Sequence, residues 1–230
     1  MKYCVVIPAA GQGKRMNLGK NKQFLLLENK PVIIHTLEVF QEDSWCDEII
    51  LVANEKEIEE IRQLTVTYNI CKVKKIVPGG TERQHSVRNG LKALNGDRIV
   101  LVHDGARPFI KKEQIHHLVE EAKQSQAAIL AVPIKDTVKK SEAGTISHTV
   151  DRLNLWSAQT PQAFRLQTIV EAHNWAEKNQ FLGTDEASLL EKLNKPTSIV
   201  MGDYFNIKLT TKEDIVFAES ILRLKRGEKS

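Results

Sequence analysis

Cysteine is scarce in this chain. Cys4, Cys46 and Cys71 are three in number, an odd count with no C-x-x-C spacing. That excludes a disulfide scaffold, and the three read as small buried hydrophobes in a reducing compartment. Long apolar runs are missing too: none approaches the ~20 residues of a membrane span. The N-terminal MKYCVVIPAAG is not a signal peptide, because its apolar stretch stops at Pro8 and Lys14 and Arg15 follow closely. Charge of one sign is not in excess. Lys and Arg number 33 against 29 Asp and Glu, a net +4 over 230 residues, too little to mark a nucleic-acid binder. Internal repeats and low-complexity segments are absent. The expectation is a cytoplasmic protein with neither nucleic acid nor a membrane as partner.

What is present is ordinary globular composition, 41% hydrophobic and 27% charged. The length fits one large domain with a core that needs no staple. Strand and helix alternate to about residue 134. Tyr3–Ile7 is a short β-branched run. Pro31 opens the helical PVIIHTLEVFQ, where proline suits the first turn. EIILVA (48–53) is a strand, NEKEIEEIRQL a polar helix, and Cys71–Val77 a strand ending in Pro78-Gly79-Gly80. ERQHSVRNGLKAL carries Val87, Leu91 and Leu94 at helical spacing. RIVLVHDG (98–105), EQIHHLVEEA and AAILAVPI read as strand, helix and strand. The strands are continuous apolar runs, as in a parallel sheet covered on both faces. The expected fold class is therefore α/β, a Rossmann-like doubly wound, mostly parallel sheet.

Between Lys135 and Trp156 the pattern changes to two polar β-type runs around Glu142-Ala143-Gly144. So polar a hairpin is hard to bury, and it reads either as an arm leaving the main body or as a surface hairpin. A helix at 165–178, a second from Thr184, a strand near Ser198–Met201 and a closing helix from Thr211 complete the chain.

Five segments carry candidate chemistry. Pro8-Ala9-Ala10-Gly11-Gln12-Gly13-Lys14-Arg15-Met16 follows the first strand. Its small residues let backbone N–H groups approach a phosphate, and Lys14, Arg15 and Lys22 add charge. It lacks the third glycine of a dinucleotide fingerprint and the spacing of a Walker A loop. The second segment, Gly79-Gly80-Thr81-Glu82-Arg83-Gln84-His85-Ser86, enters a helix and could hold an anion or a nucleobase edge, or simply cap the helix. In Val102-His103-Asp104-Gly105-Ala106-Arg107-Pro108, Asp104 is placed for Mg²⁺ or a ribose hydroxyl and Arg107 for a phosphate. His103 reads as a hydrogen-bonded structural residue. Asn206-Ile207-Lys208-Leu209-Thr210 and Gly183-Thr184-Asp185-Glu186-Ala187-Ser188 have no distinctive local reading beyond a surface lysine and a helix cap.

Together PAAGQGKRM, NKQF, GGTERQHSV, LVHDGARP, KDTVK, TVDR, TPQAF, GTDEAS and NIKLT, in this order over roughly residues 2–220, resemble the 2-C-methyl-D-erythritol 4-phosphate cytidylyltransferase family. The resemblance implies a single nucleotidyltransferase domain over 1–230, with a dimerisation arm at about 135–156. It implies transfer of CMP from CTP to 2-C-methyl-D-erythritol 4-phosphate in the non-mevalonate isoprenoid pathway, with Mg²⁺ and in a homodimer. By the same resemblance Arg15, Lys22 and Lys208 are catalytic. Pro8, Ala9, Ala10, Gly11, Gly13, Gly80, Thr81, Ser86, Asp104 and Gly105 bind CTP. Arg107, Thr137, Arg152, Thr160 and Thr184 bind the sugar phosphate, and Asp104 is the candidate metal ligand. Thr81 stands where an Asp is common, and Phe205 where a polar residue often stands. A ribitol 5-phosphate cytidylyltransferase shares the CTP half, but PAAG and TDEAS favour the methylerythritol family. A nucleotide sensor would have no need of Arg15, Lys22 and Lys208.

Overall fold

The computed structural model describes residues 1–11 and 22–227. In chain order, β1 is Tyr3–Pro8, followed by a 3-10 turn at Lys22–Phe24 and two short strands, β2 (Leu26–Leu27) and β3 (Lys30–Pro31). Then come α1 (Val32–Gln41), β4 (Cys46–Ala53), a 3-10 turn at Glu55–Glu57, α2 (Ile58–Thr67), β5 (Val73–Pro78) and α3 (Arg83–Leu91). β6 (Ile99–Val102), α4 (Lys112–Ser125) and β7 (Ala127–Pro133) lead into the hairpin of β8 (Val138–Glu142) and β9 (Thr145–Val150). β10 (Trp156–Arg165), α5 (Leu166–Lys178), α6 (Glu186–Lys192), β11 (Ser198–Met201) and α7 (Lys212–Lys225) close the chain.

Seven strands form one sheet in the order β11-β7-β10-β6-β1-β4-β5. Every pairing is parallel except the two made by β10. Period-two alternation sends Val5, Ile7, Ile49, Leu51 and Leu101 to one face, under Ile33, Leu37 and Phe40 of α1 and Ile115 and Leu118 of α4. Cys4, Val6, Ile50, Val52, Val100 and Val102 face the other way, toward Val87 and Leu91 of α3, Ile169 of α5 and Leu189 of α6. Both faces are apolar because both are covered, which is why the strands read as unbroken hydrophobic runs. A third, smaller cluster joins Leu27, Val32 and Phe109 to Leu209 and to Ala218 and Ile221 of α7.

The doubly wound, mostly parallel α/β fold is as expected, with one strand the sequence reading missed. WSAQTPQAFR is not a connector; it is β10, antiparallel between β6 and β7. Proline and glutamines argue against a central strand. The sheet accommodates them with a bulge: Ala158 pairs with Ala131 and Gln162 with Ile129, so Gln159, Thr160 and Pro161 stand against Leu130 alone. The Thr160–Pro161 peptide, in that bulge, is cis. Cys71 also corrects the reading: it is exposed, while Cys4 and Cys46 are buried. The sixth helix starts at Glu186 rather than Thr184. Asp185 is its cap, its carboxylate accepting from Ser188 N at 3.0 Å.

The hairpin stands apart from the core. β8 and β9 form their own two-stranded sheet, and all their residues but Val138 and Val150 are exposed. Ala143 (φ 48°) and Gly144 (φ 81°) make the tight turn, with the positive φ pair that suits the strand twist. Among the described residues no helix is long and apolar enough to cross a membrane.

Candidate active site

β1, β4, β5 and β6 run parallel, so their carboxyl ends open on one edge of the sheet. The chain winds from β1 outward through β4 to β5, then returns to the other side of β1 as β6. Such a reversal leaves a crevice between diverging loops, where ligands of open α/β sheets bind. The crevice here is a cleft of about 630 Å³. Its walls are Pro8–Gly11 after β1, Asn54 and Glu55 after β4, Gly79–Arg83 after β5, and Asp104–Ala106 after β6, with Gln23, Ser86 and Lys208.

Three of the four loops, those after β1, β5 and β6, are fixed by continuing the sheet's hydrogen bonding for one more residue. Ala9 N donates to Val52 O (2.7 Å), Gly79 N to Ala53 O (2.8 Å), and His103 N to Val6 O (3.0 Å). The first two loops then touch. A Cβ on Gly79 would run into that of Ala10, so only glycine lets them meet. Gly80 N donates to Ser86 Oγ at 3.0 Å, and Thr81 shares a 2.8 Å hydrogen bond with His85 Nδ1.

Asp104 lies at the floor of the cleft. Arg83 Nε donates to its Oδ1 at 3.0 Å, and Lys208 Nζ sits 2.6 Å from Oδ2. Burial alone would raise this carboxyl's pKa. Arg83 and Lys208, with Arg107 beyond them, reverse the effect and hold it far below the usual carboxylate range. Arg83 also spends Nη1 on both oxygens of Glu186, at 2.9 and 3.0 Å. Glu186 is 1% exposed, and burial pushes its carboxyl up against the pull of Arg83. Lys208 arrives from the far end of the chain because its neighbours are pinned: Leu209 N donates to Ala106 O at 2.9 Å, and Arg107 Nη1 to Asn206 O at 2.6 Å.

Beneath the floor, His103 is wholly buried. Its Nε2 lies 3.0 Å from Arg107 O, an atom that only accepts, so the proton sits on Nε2. Nδ1 then accepts from Thr160 Oγ1 (3.2 Å), which itself accepts from Asp104 N (3.0 Å). Burial pushes the imidazole down to about 4, so it is neutral and structural, as its sequence context implied.

Of the residues assigned to CTP, Pro8, Ala9, Ala10, Gly11, Gly80, Thr81, Ser86, Asp104 and Gly105 line the cleft, and so does Lys208, assigned a catalytic role. Gly13, Arg15 and the side chain of Lys22 lie outside the described residues. None of the residues assigned to the sugar phosphate lines this cleft. Thr160 is buried with its hydroxyl committed to Asp104 and His103, and Arg107 is turned toward Asn206 O. Thr184 is exposed before α6, and Thr137 and Arg152 are exposed at the base of the hairpin. Arg152 Nη1 bonds Lys135 O. Asp104 is poorly free to ligate a metal, since each oxygen already has a cationic partner. Among the described residues no three His, Cys, Asp or Glu side chains cluster to hold an ion.

Sequence reasoning missed Arg83, Gln84, Gln162, Glu186 and Asn206. Gln84 bridges Phe181 O (3.0 Å) and Gly183 N (2.8 Å); Gln162 bridges Asp185 (2.7 Å) and Ala187 N (3.2 Å). Asn206 Nδ2 donates to Thr160 O (2.9 Å), holding the β10 bulge. All five fall inside the quoted motifs, but nothing local shows which partners they meet.

A cleft at the strand ends, glycine-lined and carrying cations, with no activated serine or thiol among its described residues, defines a nucleotide-binding α/β protein of nucleotidyltransferase type. The comparisons narrow this. The family model for 2-C-methyl-D-erythritol 4-phosphate cytidylyltransferase matches residues 3–224, and the chain belongs to that family. The protein of that name from Halalkalibacterium halodurans is 57% identical over 222 residues, 96% of this chain and 97% of its own. The one from Bacillus velezensis is 54% identical over 228 residues, covering 99% and 98%. Among solved structures, 4-diphosphocytidyl-2C-methyl-D-erythritol synthase from Anaerococcus prevotii superposes with TM-score 0.84 at 31% identity, over 96% of both chains. The Francisella tularensis cytidylyltransferase gives 0.82 at 34% identity, over 96% and 99%.

Proposed function

We infer that this chain transfers CMP from CTP to 2-C-methyl-D-erythritol 4-phosphate, releasing pyrophosphate and forming 4-diphosphocytidyl-2-C-methyl-D-erythritol for isoprenoid synthesis. Family membership supports the reaction. The observation that carries its chemistry is Lys208, held at the cleft wall by Asp104 at 2.6 Å and opposite the small-residue loops.

The acceptor's phosphate oxygen attacks the α-phosphorus in line. The bond from that phosphorus to the bridging oxygen breaks, and its electron pair leaves with pyrophosphate. The attacking oxygen is already anionic, so no base has to remove a proton. What the protein supplies is alignment and positive charge where charge builds. Ala9, Ala10, Gly11 and Gly13 cradle the phosphates through backbone N–H groups, while Arg15, Lys22 and Lys208 neutralise them. Gly80, Thr81 and Ser86 receive the cytosine and ribose. A divalent ion such as Mg²⁺ would supply further charge neutralisation at the triphosphate, with phosphate and water as its ligands and Asp104 as the one candidate side chain. That fits a cleft in which Asp104 can offer an oxygen only by giving up Arg83 or Lys208.

The acceptor is gripped by Arg107, Thr137, Arg152 and Thr184, with Thr160 behind Asp104. Thr137, at the exposed base of the hairpin, and Arg107 complete the site of a neighbouring copy, in a cytoplasmic homodimer. The test is pyrophosphate release from MgCTP with methylerythritol 4-phosphate and ribitol 5-phosphate as parallel acceptors. Strong preference for the first is expected. Preference for ribitol 5-phosphate would overturn the acceptor, and no release with either would overturn the reaction.

A further inference from the structure

The loop joining α5 to α6 is gripped from two sides. Gln84 of α3 holds its start: Nε2 donates to Phe181 O at 3.0 Å, and Oε1 accepts from Gly183 N at 2.8 Å. Gln162 of β10 holds its end: Nε2 donates to Asp185 Oδ2 at 2.7 Å, and Oε1 accepts from Ala187 N at 3.2 Å. The glutamines are 8% and 1% exposed, so little water competes for these bonds. Gly183 lies so close to α6 that a Cβ there would strike Ser188 Oγ and Leu189 Cδ2. Capping α6 needs only Asp185, whose other oxygen accepts from Ser188 N. The grip of Gln84 goes further and fixes the residues ahead of the cap. Thr184 stands between the two glutamines' holds, exposed, and its hydroxyl makes no hydrogen bond among the described residues. Two positions on, Glu186 is bound by Arg83, which lines the cleft.

We propose that Gln84 and Gln162 are positioning residues for the acceptor: they clamp the loop so that the Thr184 hydroxyl meets the sugar phosphate at one fixed place beside the cleft. This rests on the reading of Thr184 as an acceptor-binding residue. A hydroxyl ordered in advance does not have to be ordered when the acceptor arrives, so the clamp strengthens binding through alignment. Neither glutamine lines the cleft, so the clamp leaves the nucleotide untouched. Gln84 belongs to the helix that opens from the Gly79–Arg83 loop, and Gln162 to the strand that carries Thr160. The acceptor side is thereby set in register with the elements that build the CTP side.

The test breaks the clamp and then remakes it. Gln162→Glu sets a carboxylate against that of Asp185. Adding Asp185→Asn restores the bond with donor and acceptor exchanged; net charge is unchanged, and asparagine caps a helix as well as aspartate does. In pyrophosphate release, Gln162→Glu should raise the KM for methylerythritol 4-phosphate by about tenfold, and the double variant should return it to within about threefold. CTP affinity, by calorimetry without acceptor, should stay within about twofold in both, which a general loosening of the fold would not allow. Gln84→Met removes both bonds at the other end of the loop and decides the matter if Gln162→Glu fails to fold. It should raise the acceptor KM by about tenfold alone, but by less than about twofold in a Thr184→Val background, because the hydroxyl it positions is gone. An equal loss of CTP affinity, no recovery in the double variant, or a Gln84→Met effect of the same size in both backgrounds overturns the proposal. If Thr184→Val alone leaves the acceptor KM unchanged, the reading of Thr184 fails and the proposal with it. If Thr184→Val raises that KM while Gln84→Met and Gln162→Glu do not, the positioning role alone is overturned.

Discussion

The cleft and the hairpin arm are built on opposite physical terms. Three of the four cleft loops extend the parallel sheet by one hydrogen bond, and the charges of Asp104, Arg83, Glu186 and Lys208 sit in one network. The arm is two short strands exposed along almost their whole length, with Ile146 62% and Leu153 83% accessible. A two-stranded hairpin is marginal in water when nothing covers it. The contrast teaches that the cleft is preorganised by the core of one chain, whereas the hairpin, to which part of the acceptor site is proposed to belong, is presented outward and depends on what it meets.

The largest effect expected on this contrast is Lys208→Ala. Removing one preorganised charge should lower kcat by about 10²–10³ while leaving the fold intact. An unchanged kcat would remove Lys208 from the transition state and make the cleft a binding site only.

Next is pH. His103 is buried under the cleft with its pKa depressed to about 4 from 6.5. The unfolded chain therefore takes up the proton first. The histidine's contribution is fully present above pH 6.5 and is lost as pH falls toward 4, by about 3 kcal/mol. Burial also pushes His173 down to about 4, so urea unfolding followed from pH 7 to 4 should show a slope that His103→Gln reduces by about half. An equal slope in the variant would mean that other groups carry the acid sensitivity.

Arg152→Ala probes the arm. Loss of a charged hydrogen bond to the acceptor should raise its KM by about 10–100-fold with CTP affinity unchanged. Selective loss of CTP binding would break the division between the two halves. The smallest effect is Ala143→Gly. Relieving an alanine at φ 48° should steady the arm's turn by less than about 1 kcal/mol, seen as slower amide exchange in β8 and β9 alone. Slower exchange across the central sheet would show that arm and core are coupled.

Much of this molecule is legible in one dimension. The runs at Tyr3–Ile7, 48–53 and 98–105 name their own strands, because burial on both faces demands apolar residues at every position. Glycine and alanine after β1, and the glycine pair after β5, mark the loops that meet at the cleft, since a Cβ on Gly79 would run into that of Ala10. TPQAF, by contrast, carries no strand signature, and its polar residues make sense only once Thr160 O is seen accepting from Asn206 and Gln162 bonded to Asp185 and Ala187 N. Cys71 looks like Cys4 and Cys46, but it falls at a loop before β5 where no element covers it.

By itself, the sequence determined the order of strands and helices apart from β10, the two-sided sheet and the loops that line the cleft. These follow from periodicity and from residue size at a turn, both local properties. Only the tertiary structure decided that β10 enters the sheet in reverse, that Glu186 meets Arg83 across 103 positions, and that Asp104 is shared between Arg83 and Lys208. A charge taken out of water must find an opposite charge or a hydrogen bond, but sequence spacing does not say which one. That choice is made by packing, when distant segments are brought to the same end of the sheet.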